Sequence, residues 1–245
     1  MEPAPAARGL FLAFEGVEGS GKTTQVRLLA DHLRARGREV VVAREPGSTP
    51  LGERVRETVL ADLGLRVPAR SELFLMLAAR AAFVEQVVLP ALDAGRVVIA
   101  DRFELSTLAY QGKGRGLSLE EVRGCNRFAT GGVAPDATLF LDLEAKEGAR
   151  RQRAAGKLPD RMEMEDPGFH ARVAAGYREL AGKVEGLVRI GAVGGEEEVH
   201  RRIVEALAAR FPETFFPAGF TNREPGAALQ RTGARPPENA SEKDV

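Results

Sequence analysis

The sequence predicts a doubly wound α/β domain, in which a five-stranded parallel sheet carries helices on both faces. Five short apolar or β-branched runs alternate along the chain with longer amphipathic stretches. Parallel strands need crossover connections, which are right-handed and usually helical, so this alternation favours a sheet covered on both sides. A glycine-rich segment follows the first run, and it predicts that ligands bind at the carboxyl ends of the strands.

Each element has its own local signal. Strands are predicted where β-branched or apolar residues run together, at Leu10–Phe14, Glu39–Ala43, Arg96–Ala100, Ala137–Leu143 and Leu187–Ile190. Helices are predicted where apolar residues recur with helical spacing, at Lys22–Arg36, Leu51–Ala61, Arg70–Asp93, Leu119–Ala129, Lys146–Ala155, Gly168–Lys183 and Glu196–Arg210. Gly37 and Gly95 supply C-terminal stops, and Ser118 with Glu121 forms a capping-box pattern.

The composition is that of a soluble globular protein. The 245 residues (26.3 kDa) are 44% apolar and 29% charged, and 35 basic residues balance 35 acidic ones. A net charge of zero implies no general polyanion-binding field, so we expect no nucleic-acid partner. Cys125 is the sole cysteine, which excludes an intrachain disulfide. No run approaches the ~18 to 20 apolar residues of a membrane span, so we expect a cytoplasmic protein without a membrane partner.

The chain divides by composition near its end. Residues 1–211 are predicted to form one domain, and residues 212–245 a mostly disordered tail rich in Pro and Gly. Phe215, Phe216 and Phe220 lie at the root of this tail and could clamp it onto the domain.

The most specific motif fits the pattern G-x-x-x-x-G-K-T and consists of Gly16, Val17, Glu18, Gly19, Ser20, Gly21, Lys22 and Thr23. Glycines in such a loop let backbone amides surround an anionic phosphate chain, and the next helix adds its positive N-terminal end. Lys22 is expected to hold the β- and γ-phosphates of ATP, and Thr23 to offer its hydroxyl to Mg²⁺. An ordinary Gly-rich turn is the structural alternative.

Several function classes share this loop. A GTPase-like regulator would need a guanine-reading element, and the usual Asn-Lys-x-Asp sequence is absent. A phosphotransferase fits better, because further charged residues follow other predicted strands.

Asp101 and Arg102 follow the third predicted strand, where a carboxylate can hold magnesium and a guanidinium can bind a second phosphate. Arg44 follows the second strand, and the turn at Pro46 and Gly47 would aim it inward. The alternatives are a structural Asp-Arg salt bridge and a solvated arginine in a surface turn.

Arg80 shares a helical face with apolar residues, so its guanidinium needs an anionic or planar partner. Met76 lies one turn before it, and the pair could hold a flat base. An arginine that snorkels from a helix interface is the alternative.

A lid is predicted over about residues 150–165. Arg150, Arg151 and Arg153 end one helix, and Gly156 then breaks it before Arg161. A Gly-hinged, Arg-rich segment suits closure over a transferring phosphate, because arginine offsets the charge that develops there. A solvated basic helix end is the alternative.

The motifs together resemble the thymidylate kinase family over roughly residues 10–210. The resemblance is carried by Phe14-Glu15-Gly16 with the glycine loop, Arg44-Glu45-Pro46-Gly47, Ala78-Ala79-Arg80, Asp101-Arg102-Phe103, Ser106-Thr107-Leu108-Ala109-Tyr110-Gln111-Gly112 and Asp160-Arg161-Met162-Glu163. It implies a P-loop nucleoside monophosphate kinase fold, a homodimer, and ATP-dependent phosphorylation of dTMP to dTDP with Mg²⁺.

The resemblance also implies roles for individual residues. Glu15 would lie near the sugar 3′-hydroxyl, Arg44 and Arg102 on the dTMP phosphate, Arg80 and Thr107 at the thymine edge, and Tyr110 with Gln111 beside the sugar. The glycine loop has no Arg among its variable residues while the lid has several, so the chain resembles the bacterial type, with Arg153 and Arg161 as candidate catalytic arginines.

Two positions depart from the family pattern. Met76 stands where the family usually has a Phe that stacks on thymine, and Pro159 adds a residue to the lid. Another nucleoside monophosphate kinase or a deoxynucleoside kinase is therefore the competing hypothesis. In a deoxynucleoside kinase, Glu15 could deprotonate the acceptor hydroxyl.

Overall fold

The computed structural model describes residues 8–61, 65–156 and 158–216. Its centre is one parallel sheet with the strand order β2-β3-β1-β4-β5. The strands are β1 (Leu10–Glu15), β2 (Val40–Arg44), β3 (Val97–Asp101), β4 (Ala137–Asp142) and β5 (Leu187–Gly191). All five predicted strands and their parallel pairing are confirmed.

The register of the sheet brings three carboxyl ends together. Phe14 of β1 and Arg44 of β2 both lie opposite Asp101 of β3. The next residue of β1 is Glu15, so the glycine-rich loop begins beside these two strand ends. The polar residues that follow three different strands therefore converge at one edge of the sheet, as the sequence predicts.

Ten α-helices and two π-helical segments are present in the described residues. In chain order they are α1 (Lys22–Arg34), α2 (Pro50–Leu60), α3 (Ala69–Phe83), a first π segment (Val84–Val88), α4 (Leu89–Asp93), α5 (Glu104–Thr107), a second π segment (Leu108–Gly114), α6 (Leu119–Thr130), α7 (Ala145–Ala154), α8 (Pro167–Ala181), α9 (Glu196–Arg210) and α10 (Pro212–Phe215). The seven predicted helices are present, with ends shifted by at most two residues.

The sheet is buried on both faces, as its continuous apolar strands require. Along β1, Leu12 and Phe14 point into one core layer with Leu29 of α1, whereas Phe11 points into the opposite layer with Phe83. In that second layer the ring of Phe103 packs edge-on against Phe11, with centroids 5.1 Å apart. Helices therefore cover both faces of the sheet, and the predicted fold class is confirmed.

The predicted helix over residues 70–93 is continuous but changes hydrogen-bonding pattern at Val84–Val88. By length and composition alone, the segment Ala69–Asp93 is long and apolar enough to cross a membrane. Only 44% of its most apolar window is buried. Phe83, Val88 and Leu92 nevertheless lie in the second core layer, as expected of a core helix.

Residues 104–114 form α5 and the second π segment, where sequence patterns predicted no element. Gly112 and Gly114 look like helix breakers in the sequence. A Cβ at Gly114 would lie 2.7 Å from the Phe169 ring and 2.9 Å from Val173. Glycine is required here because α8 packs directly on the segment, which is a tertiary constraint.

The root of the predicted tail is ordered onto the domain. Pro212–Phe215 is a short helix, and Phe215 is 2% exposed. Burial of this ring is the contact expected if Phe215 clamps the root of the tail onto the domain. Phe220 and the rest of the predicted disordered tail lie outside the described residues.

Phe215 closes a small aromatic cluster on α1 and α9. Its ring lies 6.0 Å from His32, which lies 5.5 Å from His200. His32 Nε2 and His200 Nδ1 are buried and have no hydrogen-bond partner among the described residues. Burial lowers the pKa of His32 to about 4, and the positive charge of Arg36 adds to the shift. Burial also lowers the pKa of His200.

We predict that this cluster makes the fold acid-sensitive. Between the unfolded His pKa of about 6.5 and the folded value of about 4, the unfolded chain binds more protons, so the free energy of unfolding decreases as pH falls. Urea unfolding of the wild type and His32→Gln at pH 7.5, 6.0 and 5.0 measures this, and the variant should lose less stability. His170→Gln, outside the cluster, is the control. Equal losses in wild type and His32→Gln would contradict the assignment.

Candidate active site

The glycine-rich loop connects β1 to α1 and has the backbone that its glycines permit. Gly16, Gly19 and Gly21 have φ values of 145°, 71° and 93°, a region that side chains disfavour. Lys22 is 6% exposed, and its Nζ donates to the carbonyls of Gly16 and Val17 at 3.0 Å. Burial lowers the pKa of Lys22, and Arg102 nearby adds to this. The loop thus encloses a cation at the N-terminus of a helix.

The two predicted metal-binding residues meet at this loop. Thr23 Oγ1 donates to Asp101 Oδ2 at 2.7 Å. No group of three or more potential His, Cys, Asp or Glu ligands occurs in the described parts of the chain. A hydroxyl and one carboxylate fit Mg²⁺, which protein sites commonly bind through one or two oxygen ligands while phosphates and water complete the shell.

Arg102 has an unusual backbone and a crowded side chain. Its φ is 78°, a conformation that costs a non-glycine residue about 1–3 kcal/mol and that clusters at functional sites. Its guanidinium donates to Ser106 Oγ and the Tyr177 hydroxyl at 3.0 Å, and it forms an ion pair with Glu18. Burial alone would lower the pKa of Arg102, but Glu18 and other anionic groups hold it well above its usual value. The arginine stays charged.

Glu15 lies beneath the cleft, not on its wall. Its side chain is 0% exposed and accepts from the amides of Phe103 and Ser106 at 2.8 and 3.0 Å, and from the hydroxyls of Ser106 and Tyr177. Burial raises the pKa of Glu15, against these hydrogen bonds. This corrects the expectation that Glu15 contacts the sugar. Glu18 lines the cleft instead.

Arg80 has the anionic partner that its burial requires. Its guanidinium forms a buried ion pair with Glu45 at 2.6 Å. It also donates to Thr107 Oγ1 at 2.7 Å, Asn126 Oδ1 at 2.5 Å and the Phe103 carbonyl at 2.9 Å. The N–H groups of Arg80 are therefore engaged by the protein. Its hydrogen bonds join α3 to α5, to α6 and to the turn after β2 at the base of the cleft.

The remaining predicted acceptor residues also border the cleft. Met76, Arg44, Tyr110 and Gln111 line it. Arg44 Nη2 pairs with Glu53 at 3.1 Å, and the Tyr110 hydroxyl lies 3.3 Å from Arg102 Nη2. Burial raises the pKa of Tyr110, so its hydroxyl remains protonated.

The lid helix is α7, and it does not direct Arg153 towards the cleft as the candidate catalytic role would require. Arg151, Gln152 and Ala155 line the cleft, whereas Arg153 is exposed and lies outside its lining. Arg161 is also outside the lining, because Glu72 accepts a hydrogen bond from its guanidinium at 2.6 Å. The helical period decides this, since positions 151 and 155 share a face that position 153 does not.

Most of the predicted site residues border one cavity of about 1130 Å³, namely residues 18–23 of the glycine-rich loop, Arg44, Met76, Arg80, Asp101, Arg102, Thr107, Tyr110 and Gln111. The predicted residues outside its lining are Glu15, Gly16, Val17, Arg153 and Arg161. Sequence reasoning missed the loop after β5, where Gly194, Gly195 and Glu196 border the cleft, and Arg56 of α2. The rule that ligands meet strand carboxyl ends could have indicated the loop. No motif in the sequence marks Arg56 as a cleft residue, because it reaches the cleft only through the packing of α2 in the folded protein.

Comparison with known proteins agrees with this geometry. The family described as Thymidylate kinase matches residues 14–203. The chain is 45% identical to a thymidylate kinase of Pelotomaculum thermopropionicum, covering 81% of this chain and 93% of that protein. It is 49% identical to one of Cereibacter sphaeroides, covering 82% and 95%.

A solved structure shows the same relationship. The crystal structure of thymidylate kinase from Ehrlichia chaffeensis superposes with a TM-score of 0.67 at 31% identity, covering 82% of this chain and 99% of that one. The phosphate loop, the converging strand ends and these similarities lead to one conclusion: the chain belongs to the thymidylate kinase family.

Proposed function

We propose that the protein phosphorylates dTMP to dTDP with ATP and Mg²⁺, as a step in dTTP synthesis. One observation carries the proposal: a single cleft holds the phosphate loop with Lys22, and Arg44 with Arg102 at adjacent strand ends. Two phosphate-binding groups in one cavity suit transfer between two phosphorylated molecules. The names of the related proteins support dTMP as the acceptor.

The donor side belongs to the glycine loop. Its amides and the N-terminus of α1 would surround the phosphates of ATP, and Lys22 would leave the carbonyls of Gly16 and Val17 to meet them. Thr23 and Asp101 would hold Mg²⁺, which neutralises phosphate charge when it is bound.

On the acceptor side, Arg44 and Arg102 would bind the dTMP phosphate. Thr107 would face the thymine edge, with Met76 against the base. Arg80 would have to release one of its protein partners to donate to the thymine as well. Tyr110 and Gln111 would lie beside the sugar. We transfer the contact expected of Glu15 to Glu18, because Glu18 lines the cleft next to Arg102.

This reaction needs no strong base. The attacking oxygen of a nucleoside monophosphate is already anionic near neutral pH, so positioning and charge neutralisation carry the transfer. A deoxynucleoside kinase would need a base for a hydroxyl. Glu15 cannot supply it, because its carboxylate is buried and hydrogen-bonded within the protein. Arg44 and Arg102, which line the cleft at adjacent strand ends and suit an acceptor phosphate, support a monophosphate acceptor.

The lid would supply further positive charge. Arg153 is exposed on α7 and would have to approach the cleft by movement of the lid to offset the charge on the departing phosphoryl group. Arg161 is the second candidate for this role. Its guanidinium donates a hydrogen bond to Glu72 and would have to break that bond to reach the phosphoryl group.

We also propose a cytoplasmic homodimer. Phe74 on α3 and Phe128 on α6 are 61% and 91% exposed, on two helices that pack against each other. Exposed aromatic rings are typical of association surfaces, and a second copy of the chain fits the resemblance to the family.

Acceptor choice is the first prediction. Purified protein with ATP and Mg²⁺ should release ADP fastest with dTMP. We expect dUMP to be about 10- to 200-fold poorer in kcat/KM, because it lacks the one methyl group that fills the base site. Parallel assays with dGMP, dAMP and thymidine complete the comparison. Preference for unphosphorylated thymidine would overturn the proposed reaction.

Removal of the loop cation should slow the chemical step. Lys22→Ala is expected to lower kcat by about 10²- to 10³-fold, because charge on the transferring phosphoryl group then develops without this cation. Lys183→Ala removes an exposed lysine that pairs with Glu179 and is the matched control. Steady-state kinetics at saturating dTMP measures both, and near-normal turnover of Lys22→Ala would refute the role of Lys22.

The dimer is tested by mass. Light scattering should give twice the 26.3 kDa chain mass for the wild type, and Phe128→Asp should shift it towards the monomer because an interfacial charge must be desolvated. Val193→Asp, at an exposed residue after β5, is the control. A wild type that is monomeric at micromolar concentration would reject the proposed dimer.

A further inference from the structure

A buried carboxylate behind the cleft has no part in the proposed reaction. Glu72, in the first turn of α3, is 0% exposed. Gln111 Nε2 and Arg115 Nε donate to its Oε1 at 3.0 and 3.1 Å. Arg115 Nη2 and Arg161 Nη2 donate to its Oε2 at 3.0 and 2.6 Å. Both oxygens are thus fully used by donors from distant parts of the chain.

These donors belong to two walls of the cleft. Gln111 lines the cleft from the second π segment, the proposed acceptor side. Arg161 belongs to the C-terminal part of the lid, residues 158–165, which we call the lid root. Its neighbour Met162 lines the same cleft. Glu72 is therefore the atom-to-atom link between the acceptor wall and the lid root.

The lid root has a second attachment through the same arginine. The amide of Arg161 donates to the Leu60 carbonyl at 2.9 Å, and its Nε donates to the Val59 carbonyl at 2.6 Å. The guanidinium of Arg161 thus bonds both a buried carboxylate and the C-terminal end of α2, so it can hold the lid root against these two parts of the protein. Its preorganised fork makes several bonds at once.

The local charges balance only while Glu72 is ionised. Arg115 and Arg161 face Glu72 and Glu165, with Arg115 Nη2 2.6 Å from Glu165. Burial alone would raise the pKa of Glu72, but hydrogen bonds from Arg115, Arg161 and Gln111 lower it overall. Neutralising this carboxylate would leave two guanidinium groups against one glutamate, at a site with little water to screen them.

We propose that Glu72 is a positioning residue that fastens the lid root, through Arg161, to the acceptor wall, through Gln111. The inference rests on the proposed function, because the lid and acceptor wall are defined by that reaction. It assigns Arg161 to anchoring, so charge stabilisation at the phosphate falls to other lid residues. Acceptor binding against Gln111 then restrains the lid through one carboxylate.

Trypsin tests the anchor without any substrate. The lid helix presents Arg150 and Arg153 at its exposed end, and mass spectrometry reports the rate of cleavage there. We expect Glu72→Gln and Arg161→Met each to accelerate this cleavage about tenfold, since local opening exposes the backbone. The double variant should be no faster than Arg161→Met, because that variant already removes the link to Glu72 together with the bond to the Val59 carbonyl. Glu185→Gln, at an exposed glutamate, is the matched control.

A second measurement separates anchoring from a general loss of stability. Saturating dTMP should slow lid cleavage in the wild type but not in Glu72→Gln, at a temperature where circular dichroism shows both to be folded. If Glu72→Gln does not fold, the same cycle is run with Gln111→Met and Arg161→Met.

Defined outcomes overturn the proposal. Multiplicative effects in the double variant would show that Glu72 and Arg161 act independently. A loss of kcat of a hundredfold or more in Arg161→Met, with lid cleavage unchanged, would place Arg161 at the phosphate instead. Absence of dTMP phosphorylation in the wild type would reject the proposed function, while the substrate-free cleavage cycle would still decide the role of Glu72.

Discussion

Neutralisation of buried negative charge is the constraint on which the cleft depends. Glu15, Glu45 and Glu72 are each at most 5% exposed; Glu45 borders the cleft, and Glu15 and Glu72 lie behind its walls. An ionised carboxylate without partners at such a site is strongly unfavourable, so each must be paired and hydrogen-bonded. Glu15 accepts hydrogen bonds from amides and hydroxyls, and Glu72 accepts them from two arginines and the Gln111 side-chain amide. Glu45 pairs with Arg80 through Oε2, while its buried Oε1 has no hydrogen-bond partner among the described residues. These pairings fix the elements that bear the proposed substrate contacts.

The same constraint acts on the cations. Lys22 donates hydrogen bonds to carbonyls of the loop, whereas Arg102 forms an ion pair with Glu18 and Arg80 forms one with Glu45. Under the proposed function, a phosphate entering the cleft would exchange partners with groups that are already held in place, so little side-chain entropy would remain to be lost. The backbone of Arg102, at a φ of 78°, shows that the fold accepts local strain to place one guanidinium at a strand end.

Much of this arrangement was predictable from the chain. All five strands follow from runs of β-branched and apolar residues, and the phosphate loop follows from its spacing. The meeting of Thr23 with Asp101 follows from the rule that ligands lie at strand carboxyl ends. The helix at residues 104–114 was not predictable, because its glycines fit close packing against α8, whereas local propensity treats them as breakers.

The sequence by itself determined the fold class, the phosphate loop and the family resemblance, because these depend on local periodicity and on motifs of fixed spacing. Only the tertiary structure decided which charged side chains face the cleft. Glu15 and Glu18 are three residues apart, yet one is buried beneath the loop and the other borders the cleft. Arg161 turns to Glu72, a partner 89 residues away. Such pairings depend on long-range packing, which no local pattern encodes.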